Sequence, residues 1–309
     1  MNDFHFTSAC APTFLPVNEN NEIEFNIIPK YFEYLYENGI RSLFINGGCG
    51  EFSSLTVTER KLVLEKWVEV ASDDVQIIVN IGTSNLTDTI DLGNHALTFA
   101  GVYGVAIVPP FYMPIANEIG LLKYLKIIAK GMNKKIPILY YHIPSNSKIE
   151  INVENFLQQI KKEEFSQLAA IKFTDSNFHN FQSFVSGIKS RNLNISMFCG
   201  YELLLEETLK SGAKGAILAF VSVKPKLINL LVNESLTESQ ASDLAVLMNL
   251  FRATESFSRT NRQSFLGLLK IATEFHSNVK LGPMKIPYNI ENNEVIEFHN
   301  LLKNYKFSQ

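Results

Sequence analysis

The hydrophobic pattern of the chain alternates between two periods through about residue 233. Eight short apolar runs, several rich in β-branched residues, are typical of buried strands, and they span 6–11, 42–46, 76–81, 104–108, 136–141, 168–172, 195–199 and 215–219. Between and after them, helical spacing of apolar positions predicts helices over 27–37, 58–71, 87–99, 118–129, 153–160, 180–188, 202–210 and 224–232. Thr56 and Glu59 fit a capping box at the start of the second helix. Eight strand–helix units predict an α/β fold, a (β/α)8 TIM barrel.

The remaining chain, 235–309, shows helical patterns and no clear strand. Helices are expected over 238–257, 263–275 and 294–302. No Pro- or Ser-rich linker separates this part from 1–234. We therefore expect a barrel over 1–234 with a C-terminal helical appendage over 235–309, packed together as one structural unit.

Composition narrows the classes of function. The 309 residues are 46% apolar and 19% charged with a net charge of -3, which fits a globular protein and gives no electrostatic preference for nucleic acid or an anionic membrane. Residues 92–117 lack charged side chains, but repeated glycines and prolines argue against a membrane span. The start shows no signal-peptide pattern. We expect a cytoplasmic protein.

The three cysteines, Cys10, Cys49 and Cys199, lie far apart in the sequence and are odd in number. They form no metal-ligand spacing, so we expect no metal site and free thiols in a reducing compartment. Cys49 has no base near it in sequence, which favours a small loop residue over a nucleophile.

Lys172 is the most informative single residue. It ends the sixth predicted strand, where packing alone rarely places a lysine, and strand alternation directs Leu168, Ala170 and Lys172 to one face. A lysine amine kept from water is a nucleophile that forms Schiff bases with ketones. A solvated charge or half of an ion pair is the common alternative. In a (β/α)8 barrel, however, catalytic groups lie at the carboxyl ends of strands, which favours a catalytic Lys172.

Other candidates fall at equivalent ends. The loop Gly47-Gly48-Cys49-Gly50 would let backbone N–H groups approach a carboxylate or phosphate, although a plain turn explains it equally. Tyr141 could transfer protons beside Lys172, or be a core aromatic. His142 points to the opposite face and is interpreted as structural. Thr174 shares the parity of Lys172 and could donate to the same pocket, or cap the following loop.

Several motifs together resemble a known family, and the resemblance covers almost the whole chain. The motifs are Leu43-Phe44-Ile45-Asn46-Gly47 with Gly50-Glu51, Tyr140-Tyr141-His142-Ile143-Pro144, Ile171-Lys172-Phe173-Thr174-Asp175, Phe198-Cys199-Gly200 and Gly282-Pro283. They resemble the N-acetylneuraminate lyases, or sialic acid aldolases, of the dihydrodipicolinate synthase superfamily. The Tyr-x-Ile-Pro motif and the lysine about thirty residues later are specific to this superfamily.

The resemblance implies a class I aldolase that cleaves N-acetylneuraminate to N-acetylmannosamine and pyruvate. It implies that Lys172 forms the Schiff base, that Tyr141 transfers protons, and that the loop at Gly48 and Cys49 holds the substrate carboxylate. It also implies that Thr174, Gly200 and Glu202 contact the sugar or the enamine. The substrate is a small 2-oxo acid sugar, no cofactor is required, and a homotetramer is expected, in which a neighbouring subunit could supply a residue such as Tyr112.

The chain departs from the family pattern where the sugar would be recognised. Two hydroxyl residues of the glycine loop are replaced by Gly48 and Cys49, an Asp-Glu pair becomes Glu202-Leu203, and Gly-Ser-Thr becomes Leu218-Ala219-Phe220. These changes keep the imine-forming residues and remove polar contacts to the sugar. They leave two alternatives: a lyase or dehydratase of the superfamily that acts on another 2-oxo acid, and an inactive barrel with a binding or regulatory role.

Overall fold

A computed structural model of the protein describes residues 4–6, 8–261, 264–288 and 290–308. Seven strands in the described residues form one sheet in which each strand pairs in parallel with the next along the chain. They are β1 (Cys10–Pro12), β2 (Ser42–Ile45), β3 (Gln76–Asn80), β4 (Val102–Ile107), β5 (Ile138–His142), β6 (Leu168–Phe173) and β7 (Ser196–Cys199).

Helices alternate with these strands. They are α1 (Ile28–Glu37), α2 (Val57–Val70), α3 (Leu86–Ala96), α4 (Glu118–Gly131), α5 (Pro144–Ser147), α6 (Val153–Lys162), α7 (Phe178–Ser190), α8 (Leu205–Lys210), α9 (Phe220–Val223), α10 (Pro225–Asn233), α11 (Glu238–Asn261), α12 (Phe265–Ser277) and α13 (Asn292–Leu302). Single 3₁₀ turns span Phe25–Ile27, Phe52–Ser54 and Glu202–Leu204. The curled parallel sheet with alternating helices confirms a TIM-like barrel fold followed by C-terminal helices.

The predicted start of the second helix is confirmed in detail. Glu59 donates its backbone N–H to Thr56 Oγ1 over 3.2 Å, and the Glu59 carboxylate accepts the Thr56 backbone N–H over 2.8 Å. The reciprocal pair satisfies two of the free N–H groups at the helix start.

The predicted eighth strand, 215–219, is not a strand in the structure. Its residues make only isolated parallel bridges, from Ala216 to Cys199 of β7 and from Ile217 to Cys10 of β1. The backbone of Gly215 has a φ of +151°, and the chain turns into α9 directly after Ala219, so no continuous ladder develops. An eight-stranded closed barrel stays a prediction.

The first strand is shorter than predicted and begins later, at Cys10. Phe6 is buried but unpaired as a strand residue, and its ring lies 4.5 Å from the ring of Phe198, with Phe4 6.0 Å from that same ring. These aromatic side chains fill the barrel interior below the strands. Thr7, in the predicted strand, is outside the described residues.

Two apolar layers follow from strand alternation, one inside the sheet and one between the sheet and the helices. Ala170 belongs to the inner layer, but Leu168 packs in the outer one. The expectation that Leu168 shares a face with Lys172 is therefore wrong. The reason is a register shift, because Leu168 pairs with Ile138 while Ala170 pairs with Leu139.

None of the described helices combines the length and apolar character that a membrane crossing requires.

Candidate active site

A cavity of about 600 Å³ opens at the carboxyl ends of the strands. All seven residues that the sequence pointed to line it, namely Gly48, Cys49, Tyr141, Lys172, Thr174, Gly200 and Glu202. The barrel brings them together because the ends of parallel strands meet at one rim.

Lys172 lies in the wall of this cavity near the end of β6, with a residue exposure of only 4%. Its Nζ lies 4.1 Å from the ring centroid of Tyr141 and 4.5 Å from that of Phe44. Across the described residues, this Nζ has no salt bridge and no hydrogen bond. The common alternative of an ion-paired or solvated lysine therefore does not describe it, and the amine faces the cavity between two aromatic rings.

Tyr141 is held beside Lys172 by the sheet itself, since the two residues are register partners on β5 and β6. Its ring also packs edge-to-face on Phe44 at 5.7 Å. Its neighbour His142 faces outward, stacks on Phe173 at 5.2 Å and lies 3.1 Å from the Tyr140 hydroxyl through Nδ1. The structural interpretation of His142 thus fits its surroundings, and the phenol of Tyr141 lies on the cavity wall next to the amine.

The glycine loop lies against the Tyr141 hydroxyl. A Cβ built on Gly48 would lie 3.9 Å from that oxygen and 3.3 Å from Cδ1 of Leu266. Within the ranges that the structure describes, the N–H of Gly48 donates to no protein acceptor, and the N–H of Cys49 contacts only its own thiol. Backbone N–H groups of a glycine loop on a cavity wall can bind a carboxylate, so the anion-binding interpretation stays a prediction.

Thr174 and Gly200 form one contact above Lys172. The N–H of Gly200 donates to Phe173 O over 2.8 Å, and a Cβ on Gly200 would lie 2.3 Å from Thr174 Oγ1. Only glycine fits there. Thr174 Oγ1 is buried and has no partner among the described residues, so it does not cap the following loop.

Glu202 is a buried carboxylate at the end of β7, in the turn Glu202–Leu204. Its Oε1 accepts the backbone N–H of Ala219 over 2.9 Å, so a hydrogen bond links this turn to the segment 215–219. Burial raises the pKa of Glu202, against the opposing effects of backbone N–H donors and of the Lys172 charge. Glu202 therefore links two segments at the rim of the cavity and also places its carboxyl group in the cavity wall.

The three cysteines are buried and free. Burial raises the pKa of Cys49 to about 12, with Lys172 opposing the shift, and it raises the pKa of Cys199 to about 12 as well. The pKa of Cys10 is raised further by the same cause. A thiol that stays protonated is a poor nucleophile, so Cys49 acts as a small wall residue.

The departures from the family pattern fall into two groups in space. Ala219 lines the cavity, where the missing hydroxyl leaves an apolar surface. Leu203 and Phe220 pack into the outer core instead, and the Phe220 ring lies 5.4 Å from that of Phe251. The Phe220 side chain thus fills the core rather than the site.

The sequence analysis missed the part of the wall that comes from α11 and α12. Phe251, Glu255, Ser258 and Arg259 of α11, and Phe265 with Leu266 at the start of α12, also line the cavity. Helix α11 runs to Asn261, one turn past the predicted end at residue 257. Glu255 and Arg259 lie 2.7 Å apart at the i,i+4 spacing of a helix. This spacing was the sequence signal for extending the predicted helix beyond residue 257.

Tyr112 is 87% exposed and does not line this cavity within the chain. In the described ranges no group of three or more His, Cys, Asp or Glu side chains is arranged to hold a metal ion.

Comparison with known proteins identifies the family. Residues 5–284 match the family model described as "Dihydrodipicolinate synthetase family". The chain is 28% identical over 281 residues to the N-acetylneuraminate lyase of Rattus norvegicus, covering 90% of this chain and 85% of that protein. It is 34% identical over 209 residues to N-acetylneuraminate lyase B of Xenopus laevis, covering 67% of this chain and 76% of that protein.

A solved structure agrees in fold. The native structure of N-acetylneuraminate lyase (sialic acid aldolase) from Aliivibrio salmonicida superposes with a TM-score of 0.84 at 21% identity, over 100% of this chain and 99% of that one. The family model and the curated lyases point to one family, and the fold agrees with it. The chain therefore belongs to the dihydrodipicolinate synthetase family and is an enzyme of the lyase type found there.

Proposed function

We propose that the protein is a class I aldolase that cleaves N-acetylneuraminate into N-acetylmannosamine and pyruvate through a Schiff base on Lys172. The observation that carries the proposal is the buried Lys172 amine, which faces the cavity with no salt bridge among the described residues and lies 4.1 Å from the ring centroid of Tyr141, with the glycine loop in the wall of the same cavity. The similarity to N-acetylneuraminate lyases along most of the chain supports the choice of substrate.

The arrangement accounts for each step of the reaction. The neutral amine of Lys172 attacks the C2 ketone of the open-chain substrate, and loss of water gives an iminium. The iminium accepts the electron pair of the C3–C4 bond as that bond breaks, while Tyr141 or the substrate carboxylate takes the proton of the C4 hydroxyl. N-acetylmannosamine leaves, the enamine carbon is protonated, and water hydrolyses the imine to release pyruvate and the free lysine.

The loop and rim residues hold the two ends of the substrate. The N–H groups of Gly48 and Cys49 bind the carboxylate, without the side-chain hydroxyls that are usual in the family. Thr174, Gly200 and Glu202 line the same cavity and contact the sugar or the enamine.

The proposal is tested by trapping the imine. The protein is incubated with pyruvate and borohydride, and the adduct is located by peptide mapping; we expect it on Lys172 alone. Lys172→Met should form no adduct and lose on the order of 10⁴-fold or more in kcat, as other enzymes do without their nucleophile. Lys285→Met, a lysine outside the cavity, is the matched control. A wild-type protein without an adduct on Lys172 would reject every imine-forming function and leave the inactive barrel.

A second candidate function has its own observation. Ala219, Phe251, Phe265 and Leu266 form an apolar part of the outer wall, beside the polar Glu255, Ser258 and Arg259. This apolar part favours a less hydroxylated 2-oxo acid, cleaved or dehydrated by the same imine chemistry. Pyruvate release from N-acetylneuraminate is compared with turnover of a panel of 2-oxo acids. Adduct formation together with negligible release from the sialate would replace the first function by the second.

A further inference from the structure

The glycine loop is attached to the C-terminal helices by a buried ion pair that the sequence did not suggest. Lys270 Nζ of α12 lies 3.1 Å from Glu51 Oε1, and each side chain is 1% exposed. The two residues are 219 positions apart in the sequence. Neither side chain lines the cavity, so the pair touches no substrate.

Both oxygens of the Glu51 carboxylate have partners. Oε2 accepts the backbone N–H of Lys285 over 2.8 Å, and the Lys270 ammonium also donates to Pro283 O over 2.6 Å. Burial lowers the pKa of Lys270, and the negative charge of Glu51 opposes that shift. The two buried charges are tolerated because each one is paired with the other and also has a backbone hydrogen-bond partner.

The geometry of the loop depends on Glu51. Glu51 has a φ of +51°, a left-handed backbone conformation that residues other than glycine rarely adopt. Its N–H donates to Gly48 O over 2.9 Å. A rotation of the Glu51 backbone would therefore move the carbonyl of Gly48 and, with it, the N–H groups of Gly48 and Cys49. The ion pair with Lys270 holds the Glu51 side chain in place and so opposes this rotation.

Helix α12 contacts the loop a second time. Leu266, one turn before Lys270 on the same helix face, lies against Gly48, where a Cβ would come within 3.3 Å of its Cδ1. One helix thus braces the loop at both ends, by an apolar contact inside the cavity and by an ion pair behind it.

We propose that Lys270 is a positioning residue, which acts through Glu51 to hold the N–H groups of the Gly47–Gly50 loop in the orientation that binds the 2-oxo acid carboxylate. The proposal rests on the proposed imine chemistry. Tyr141 and Lys172 are fixed by the β5–β6 register and not by this loop, so loss of the pair should weaken binding of the 2-oxo acid and leave the chemical step nearly intact.

The test measures borohydride trapping of pyruvate as a function of pyruvate concentration. For Lys270→Met, we expect the half-saturating concentration to rise about tenfold, the effect of one lost hydrogen bond to a charged group, while the limiting rate stays within about threefold. Lys270→Arg, which keeps the charge, should recover most of the affinity. Lys285→Met is the matched control, since it removes the 3.0 Å pair with Glu59 in the same segment and leaves the loop contacts in place.

Breaking one half of a buried pair can unfold a protein, so the neutral double variant Glu51→Gln with Lys270→Met is measured beside the single one. A rise in half-saturating pyruvate in this folded variant supports the proposal. Wild-type half-saturation in it overturns the proposal, as does an equal loss of affinity in Lys285→Met or a fall in limiting rate without a change in half-saturation. If the wild type itself forms no pyruvate adduct, the proposed imine chemistry is rejected. That result differs from each of the outcomes above, because all of them require adduct formation by the wild type.

Discussion

The two ends of the cavity are built in different ways. At the inner end, Tyr141 and Lys172 are partners in the β5–β6 ladder, and the Phe44 ring on β2 packs against both. At the outer end, the wall comes from residue Ala219 and from α11 and α12, outside the strands. Strand residues are fixed by the hydrogen-bond register, whereas loop and helix residues can be exchanged without disturbing the sheet. The inner end therefore holds the residues of the proposed imine chemistry, and the outer end holds Ala219, one of the departures from the family pattern.

The largest expected effect tests the inner end. Tyr141→Phe keeps the ring that packs on Phe44 and Lys172 but removes the hydroxyl, so we expect kcat to fall by about 10²–10⁴-fold, the usual contribution of a proton-transferring group. The variant should still accumulate a pyruvate adduct on Lys172 under borohydride. Steady-state kinetics and the trapping assay measure the two quantities. A wild-type kcat would mean that the substrate carboxylate or another group transfers the proton.

An intermediate effect tests the outer end. Ala219→Ser restores a hydroxyl to the cavity wall, and we expect KM for N-acetylneuraminate to fall about fivefold, the value of one net hydrogen bond. Pyruvate trapping should not change, because pyruvate lacks the sugar part of the substrate that this hydroxyl would contact. Ala213→Ser, outside the cavity, is the control. A higher KM for the sialate together with better turnover of a less hydroxylated 2-oxo acid would instead favour the second candidate function.

The smallest effect concerns Glu202, which joins the two ends. Its folded pKa is raised by burial above the ordinary value of 4.5, so its favourable contribution to stability is complete below that pH and is lost as pH rises through the folded pKa. Relative to wild type, Glu202→Gln should therefore gain in Tm as pH increases from about 4 to neutral, by roughly 2–4 °C for each kcal/mol.

Thermal melts across this pH range measure the difference, with Glu206→Gln, an exposed glutamate on α8, as control for the loss of a surface carboxylate. A Tm difference for Glu202→Gln that is constant with pH would mean that the carboxyl group titrates in the folded protein as it does in the unfolded chain.

The order of strands and helices was predictable because hydrophobic periodicity is a local property. The helices α1 to α4 begin or end within three residues of their predicted bounds, and the capping box at Thr56 lies where the sequence placed it. The candidate site followed from one further rule, that the carboxyl ends of parallel strands meet. Lys172 and Tyr141 could be paired on that basis without any coordinates.

The failures concern contacts between distant parts of the chain. The register shift between β5 and β6 places Leu168 in the outer layer. Much of the predicted strand at 6–11 is not a strand, and the aromatic ring of Phe6 packs in the barrel interior instead. At 215–219, strand-like composition produced only two bridges, because the chain leaves the sheet for α9. Alternation within one strand does not encode how that strand meets its neighbours.

The sequence by itself determined the alternation of strands and helices, the family resemblance and the presence at a strand end of Lys172, the lysine of the proposed imine chemistry. Only the tertiary structure decided that this lysine has no charged partner among the described residues, that α11 and α12 supply the outer wall, and that Lys270 reaches Glu51 across 219 positions. The physical reason is range. Periodicity and motifs report each residue's neighbours along the chain, whereas burial, pairing of charges and the shape of a cavity depend on residues that meet only after folding.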